Sequence, residues 1–229
     1  MKLSLIMNQN SYAGREFLNK LHLKKINLDV IEIGNYPEID ISENERCGGL
    51  WKPKSSEFLK SFFRFYNFKS LNSPQLNKFL KEQQYDICIQ GGTGILKNNI
   101  ISNFKIGVLN FHPGDLPYYR GCSAPEWQLW DKKPIVATCH LIDEGIDTGP
   151  ILEKCKLNIK MDSYSHFRSS IYPGIATFLV NTIMQITKNS KNVEVKFEKQ
   201  DESKACYRSY IGDDKINKLR DRFLKLNRK

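Results

Sequence analysis

Asn110 and His112 stand two residues apart in the run Val108-Leu-Asn-Phe-His-Pro-Gly-Asp-Leu-Pro-Tyr-Tyr-Arg-Gly121. On a strand such a pair shares one face, so an amide and an imidazole point the same way. A third group, Asp147, lies in the loop Asp-Glu-Gly-Ile-Asp-Thr-Gly-Pro at 143–150. A carboxylate beside an imidazole fixes its tautomer and stabilises its protonated form, which lets the ring move a proton near neutral pH. An amide beside them donates to the oxyanion that develops in acyl transfer. No serine or cysteine is placed as a nucleophile, although Cys122 is near His112 in sequence. Two other readings fit the same residues. His112 capping a loop, Asn110 satisfying backbone groups and Asp147 making an Asx turn before Thr148 would be purely structural. His112, His140 and Asp147 as metal ligands lack the usual ligand spacing, so no metal is expected.

The elements that must position these groups follow from periodicity. Lys2–Met7 reads as a buried strand, Ala13–His22 as a helix and Ile26–Gly34 as an alternating strand, which together suit a βαβ unit. No GxGxxG or GxxxxGK follows the first strand. Met-Asn-Gln-Asn-Ser-Tyr-Ala-Gly-Arg-Glu stands there instead, so the common nucleotide loops are unsupported. Asn35–Lys54 is polar and should wrap the surface. Ser55–Phe68 is aromatic-rich, suited to helix packing or to stacking on a base. Pro74–Lys81 starts a helix on its proline, and Tyr85–Gln90 is a strand ending at Gly91-Gly92-Thr93-Gly94. After the strand Val108–Phe111 come a helical segment, Ala124–Trp130, and two strands, Pro134–Ile142 and Ile151–Ile159, expected to be antiparallel. Tyr164–Lys188 has helical periodicity with a bend expected at Pro173-Gly174. Residues 1–189 then form the main domain. Residues 190–229 are an appendage too small for its own core, with a strand over Asn192–Lys199 and an amphipathic helix over Asp214–Leu226. In such sheets ligands bind beyond the carboxyl ends of the strands, where Asn110 and His112 fall.

The whole chain narrows the class. It has 229 residues, 40% hydrophobic and 26% charged, an ordinary globular composition. The formal charge of +10, from 35 basic and 25 acidic residues, favours anionic partners. The lysines are scattered and form no basic arm, so a nucleic-acid partner is not expected. Six cysteines form no CxxC pair, which suits a reducing, cytoplasmic setting. The N-terminal apolar run is too short for a signal peptide, and the run near Ile175–Ile186 falls short of the ~20 residues needed to span a bilayer, so no membrane partner is expected.

Two blocks, VLNFHPGDLPYYRG at 108–121 and HLIDEGIDTGPIL at 140–152, resemble the signature of the folate-dependent formyltransferase family. That family includes glycinamide ribonucleotide, methionyl-tRNA and nucleotide-sugar N-formyltransferases. The resemblance implies a Rossmann-like α/β fold, a mostly parallel central sheet flanked by helices, and 10-formyltetrahydrofolate as cosubstrate. It implies that Asn110, His112 and Asp147 are catalytic. Gly94, Ile95 and Leu96 would form one wall for the pterin, and Asp143, Glu144, Gly145 and Ile146 the other. Arg120, Gly121 and Asn10 would lie on the side of the amine substrate. Transfer would be direct, with Asn110 and protonated His112 stabilising the oxyanion and Asp147 orienting His112.

Length and layout then rank the amine. The 40 residues after Asn189 are fewer than the methionyl-tRNA enzymes carry there, and the phosphate-binding turn of glycinamide ribonucleotide enzymes is absent after strand one. The tail Lys-Gln-Asp-Glu-Ser-Lys-Ala-Cys-Tyr-Arg-Ser-Tyr at 199–210 resembles the nucleotide-sugar and tRNA types. A nucleotide-linked amino sugar is therefore expected first, with Phe62, Phe63, Tyr66 or Tyr207 weighed against packing as stackers for its base. Another small amine or glycinamide ribonucleotide follows. The alternative of another class is an inactive folate-, nucleotide- or nucleic-acid-binding protein. A homodimer is compatible with the sequence.

Overall fold

The apolar runs of the N-terminal half become neighbouring strands in a computed structural model, which describes residues 1–9, 11–34, 46–189 and 195–226. The strands are β1 (Leu3–Asn8), β2 (Asp29–Ile33), β3 (Arg64–Phe68), β4 (Ile87–Gln90), β5 (Gly107–His112), β7 (Val136–Leu141) and β8 (Ile151–Lys156), in the spatial order β3-β2-β1-β4-β5-β7-β8. A short pair, β6 (Arg120–Gly121) with β9 (Tyr207–Arg208), stands apart from the sheet. The five strands from β3 to β5 are parallel, and β7 and β8 add on antiparallel, as their short connection requires. This is the mostly parallel, Rossmann-like sheet expected. Chain order reverses between β1 and β4, the kind of position where open α/β sheets form a crevice.

Period-two alternation divides the core in two. Leu5 and Met7, Ile87 and Ile89, Leu109 and Phe111, and Ala137 and Cys139 face one layer. There they meet α1 (Tyr12–Leu23) and the long helix α6 (Tyr164–Asn189), which follows the short helix α5 (Ala124–Trp130) in the chain. Phe111 stacks edge-on against Phe17 and Phe178, at centroid distances of 6.5 and 5.4 Å. Ile6, Ile31, Cys88 and Val108 face the other layer, under α3 (Pro74–Gln83) and the single turn α4 (Asn98–Ile101). Ser11, Ser55 and Ser73 cap α1, α2 (Ser56–Lys60) and α3 by accepting from the amides of Gly14, Phe58 and Leu76. Among the described residues, no helix is long and apolar enough to cross a membrane.

Several expectations change in detail. Tyr164–Asn189 is one helix with Pro173 inside it, its flanks tied by hydroxyl bonds from Ser169 and Ser170 to the His166 carbonyl and from Thr177 to the Pro173 carbonyl. Of the aromatics weighed for base stacking, Phe63 is in the core, Phe62 lies 3.7 Å from the His22 ring and Tyr66 packs on Phe79, while Tyr207 is exposed and its hydroxyl accepts from Arg120. Of the strand expected over Asn192–Lys199, residues 192–194 lie outside the described residues. The described part makes a single bridge between Glu198 and Ile151. Helix α7 (Asp213–Leu226) sends Ile216, Leu219 and Phe223, with Ile211 before it, into the same cluster as Phe111 and Phe178. The C-terminal residues share the core of the sheet.

Candidate active site

Because β5 and β7 pair with Asn110 opposite His140 and His112 opposite Thr138, four polar side chains share one sheet face. On β5 the neighbours Leu109 and Phe111 face the opposite layer and anchor the strand. Helix α4 is only 4 residues long, and on this face His112, Thr138 and His140 are buried while Asn110 is partly exposed. Thr138 fixes the turn that follows. Its hydroxyl donates to the Gly114 carbonyl at 2.7 Å and accepts from the Leu116 amide at 3.2 Å. A Cβ at Gly114 would run into the His112 ring and the Tyr119 carbonyl, which explains glycine in His-Pro-Gly.

The imidazoles are held by backbone. His112 Nε2 donates to the Tyr119 carbonyl at 2.7 Å, so its Nδ1 is left facing Asp147 Oδ2 at 3.4 Å. His140 Nδ1 donates to the Leu141 carbonyl at 2.7 Å, which turns Nε2 into an acceptor for Asn110 Nδ2 at 3.1 Å. Asn110 Nδ2 is also 3.5 Å from Asp147 Oδ1, and the Gly121 amide donates to Asp147 Oδ2 at 2.8 Å. Burial pulls His112 below the ordinary imidazole range, against the opposing influence of Asp147 and the Tyr119 carbonyl. Burial alone would raise Asp147. His140 beside it, the positive charge that His112 gains on protonation and the Gly121 amide outweigh it and hold the carboxyl below its ordinary value. The site therefore sets the Asp147 carboxylate beside His112, whose Nδ1 faces it and can take a proton.

A cleft of about 110 Å³ opens in front of this group. Its lining combines Asn110, His140 and Asp147 with Gln90, Gly94, Ile95, Leu96, Ile142, Asp143, Gly145 and Ile146. Ile95 is 73% exposed and Ile146 53%, two aliphatic side chains left in solvent on opposite rims. Gln90 Nε2 ties down the first rim by donating to the Gly94 carbonyl at 2.7 Å and to Thr93 Oγ1 at 3.2 Å. Asp143 ties down the second, accepting from the Gly145 amide at 3.1 Å and from the Thr148 hydroxyl. Apolar faces with a few fixed polar atoms suit a flat heterocycle.

The residues singled out from sequence are thus divided. Asn110 and Asp147 meet in the cleft with Gly94, Ile95, Leu96, Asp143, Gly145 and Ile146. Glu144 is at the exposed tip of its loop and outside the lining. His112 stands behind Asp147, with both nitrogens engaged, and does not line the cleft. Arg120 requires a correction. It is fully buried, and all five guanidinium N–H groups are spent on Gln200, Glu202 and Tyr207, which leaves no donor for a substrate. Gly121 likewise spends its amide on Asp147, and its φ of 91° with the Arg208 carbonyl against its Cα admits only glycine. Asn10 lies outside the described residues. His140, Gln90 and Gln200 were missed as site residues. His140 opens the second signature block, but only the β5–β7 register brings it to Asn110. The metal reading meets an obstacle in the same place, since the Asn110 amide occupies the His140 lone pair that a cation would need.

The family model described as formyl transferase matches residues 1–172. The methionyl-tRNA formyltransferase of Thermosynechococcus vestitus is 29% identical over 141 residues, 60% of this chain and 41% of that protein. Across four such relatives the chain spans 41–59% of their length. An N-formyltransferase from Helicobacter canadensis, solved with folinic acid and dTDP-3-aminofucose, shares the fold with a TM-score of 0.59 at 20% identity, over 91% of this chain and 71% of that one. The phosphoribosylglycinamide formyltransferase of Streptococcus pneumoniae does so with a TM-score of 0.58 at 17% identity, over 81% and 98%. With three quarters of its length matched by the family model and the fold shared besides, the chain belongs to the formyl transferase family.

Proposed function

We propose that the cleft receives the pterin end of 10-formyltetrahydrofolate and that the protein passes its formyl group to the free amine of a nucleotide-linked amino sugar. The observation that carries the proposal is the meeting of two aliphatic rims, Ile95 and Ile146, with Asn110 and Asp147 at the floor of one cleft. Leu96 and Ile142 supply further apolar surface, and the carboxylate and backbone atoms of 143–145 supply partners for a ring edge. The bound cosubstrate contributes an electrophilic formyl carbon on a nitrogen that can leave.

The residues of the chain then divide the work. Asn110 Nδ2 donates to the formyl oxygen as it gains charge, and His140 holds that amide in place through Nε2. Asp147, facing the cleft, steadies the positive charge that grows on the attacking amine. The proton shed by the amine passes by way of Asp147 to His112 Nδ1 and is returned to the leaving nitrogen, so amine and folate exchange a hydrogen for a formyl group. His112 thus acts as proton store, and Asn110 takes the oxyanion.

For the amine, dTDP-3-aminofucose in the Helicobacter relative supports a nucleotide sugar, and the surplus of lysine is consistent with its diphosphate. The sequence relatives favour a second reading, methionyl-tRNA. The test presents the donor with pooled nucleotide-amino sugars, with methionyl-tRNA and with glycinamide ribonucleotide in parallel. Tetrahydrofolate release that depends on the amino sugars supports the proposal, and release with either other amine alone reassigns the substrate.

A further inference from the structure

Asp147 has a left-handed backbone, φ 55°, a conformation uncommon outside glycine though accessible to aspartate, and it is held there by hydrogen bonds. The restraint comes from 53 residues further on. Gln200 Nε2 donates one hydrogen to the Asp147 carbonyl at 2.8 Å and the other to the Gly149 carbonyl at 2.7 Å. Its Oε1 accepts from Arg120 Nη2 at 2.8 Å and Nε at 3.2 Å. Both hydrogens and both lone pairs of the amide are therefore used. Arg120 in turn is locked by a two-pronged pair with Glu202, at 2.6 and 2.9 Å, and by the Tyr207 hydroxyl at 3.1 Å. The residue after Arg120 supplies the amide that grips the Asp147 carboxylate. One clamp thus holds Asp147 at both ends, its backbone through Gln200 and its side chain through Gly121.

We propose that Gln200, braced by Arg120, is a positioning residue that sets the direction of the Asp147 carboxylate toward His112 and the cleft, so that a segment beyond the matched family region completes the site. This rests on Asp147 taking part in formyl transfer, as proposed above. The amide is needed specifically: a carboxylate of the same shape would turn an oxygen toward two carbonyl oxygens and push the 147–149 loop away.

Gln200→Glu in the full chain is the test. An outer partner of a reactive group typically changes activity by roughly 10–100-fold. The expected result is a fall in kcat of that order, with KM for the folate donor changed less than about threefold because Ile95 and Leu96 are untouched. The pH profile of kcat should shift as well. A lowered melting temperature with unchanged kcat and pH profile would overturn the proposal, leaving Gln200 a purely structural residue. A second readout needs no substrate: the imidazole nitrogen signals of His112 across pH in labelled protein. Gln200→Glu should move the His112 Nδ1 signal and its titration, and signals unchanged from the wild type would overturn the proposal. If the wild-type chain transfers no formyl group to any amine offered, the functional reading fails, and the His112 signals still decide the clamp. Should Gln200→Glu not fold, Glu202→Gln replaces it, since that carboxylate is 67% exposed and braces only the outer end of Arg120. A smaller loss of kcat in the same direction supports the clamp, and an unchanged kcat overturns it.

Discussion

Asn110→Asp keeps the shape of the side chain and exchanges its donor for a carboxylate 3.5 Å from Asp147 Oδ1. The first consequence is kinetic. Losing an oxyanion donor raises the barrier by about 3–4 kcal/mol, a factor of roughly 100–1000 in kcat. The second is electrostatic. Two carboxylates at that separation repel by about 5 kcal/mol at an effective dielectric constant near 20, equivalent to about 3.5 pH units of proton affinity. The new group also faces the acceptor Nε2 of His140, so the cluster binds an extra proton at neutral pH, on a carboxyl oxygen or on that nitrogen. The expected variant turns over about a thousandfold more slowly at pH 7, and its rate acquires an ionisation that the wild type lacks. The assay is steady-state release of tetrahydrofolate between pH 5.5 and 9, with melting curves to show that the variant is folded. A folded variant whose kcat stays within about tenfold of the wild type, with an unchanged pH profile, would refute the assignment of Asn110 to the oxyanion.

Three further outcomes follow from the same geometry. Ile95→Glu and Ile146→Glu alter exposed side chains, so the melting temperature should hold, while affinity for a folate analogue measured by titration calorimetry should fall about tenfold or more. Acid should destabilise the fold in two stages, read as melting temperature against pH. Burial sets the folded pKa of His112 below 6.5, so the unfolded chain binds the extra proton and stability falls as pH drops through and below 6.5. Asp147, held below 3.8, adds stability that is lost only at lower pH, as the pH falls through its folded value, and His112→Gln should remove the first stage and weaken the second, because His112 is one of the groups that hold Asp147 down. Phe111→Ala empties the space between Phe17 and Phe178 and should cost about 3–5 kcal/mol, roughly 10 °C in melting temperature, seen by calorimetry.

What the sequence made legible was local. The apolar run Val108–Phe111 marked the strand and put Asn110 and His112 on one face, while the two rims at 94–96 and 143–146 were legible only through the family resemblance. Positions that depend on distant pairing were not legible. His140 joins the site only because β7 runs antiparallel to β5 in one register, and a shift of one residue would have sent it into the core with Cys139. Arg120 was placed on the substrate side by the family resemblance, which carries no information on what pairs with its guanidinium. Its partners, Gln200 and Glu202, come from a polar stretch that gave no sign of folding back. The C-terminal residues were read as an appendage too small for a core of its own, and Ile216, Leu219 and Phe223 on a single helix face pack into the main core.

The most direct test of formyl transfer in this cleft is a single-turnover experiment with 10-formyltetrahydrofolate carrying a labelled formyl carbon, protein in excess, and the pooled nucleotide-amino sugars. The label is expected to appear on the amine in step with tetrahydrofolate, with none retained by the protein, and to stay on the folate in Asn110→Asp over the same interval. Label bound covalently to the protein would contradict direct transfer, and label remaining on the folate with the wild-type chain and every amine offered would contradict the functional reading itself.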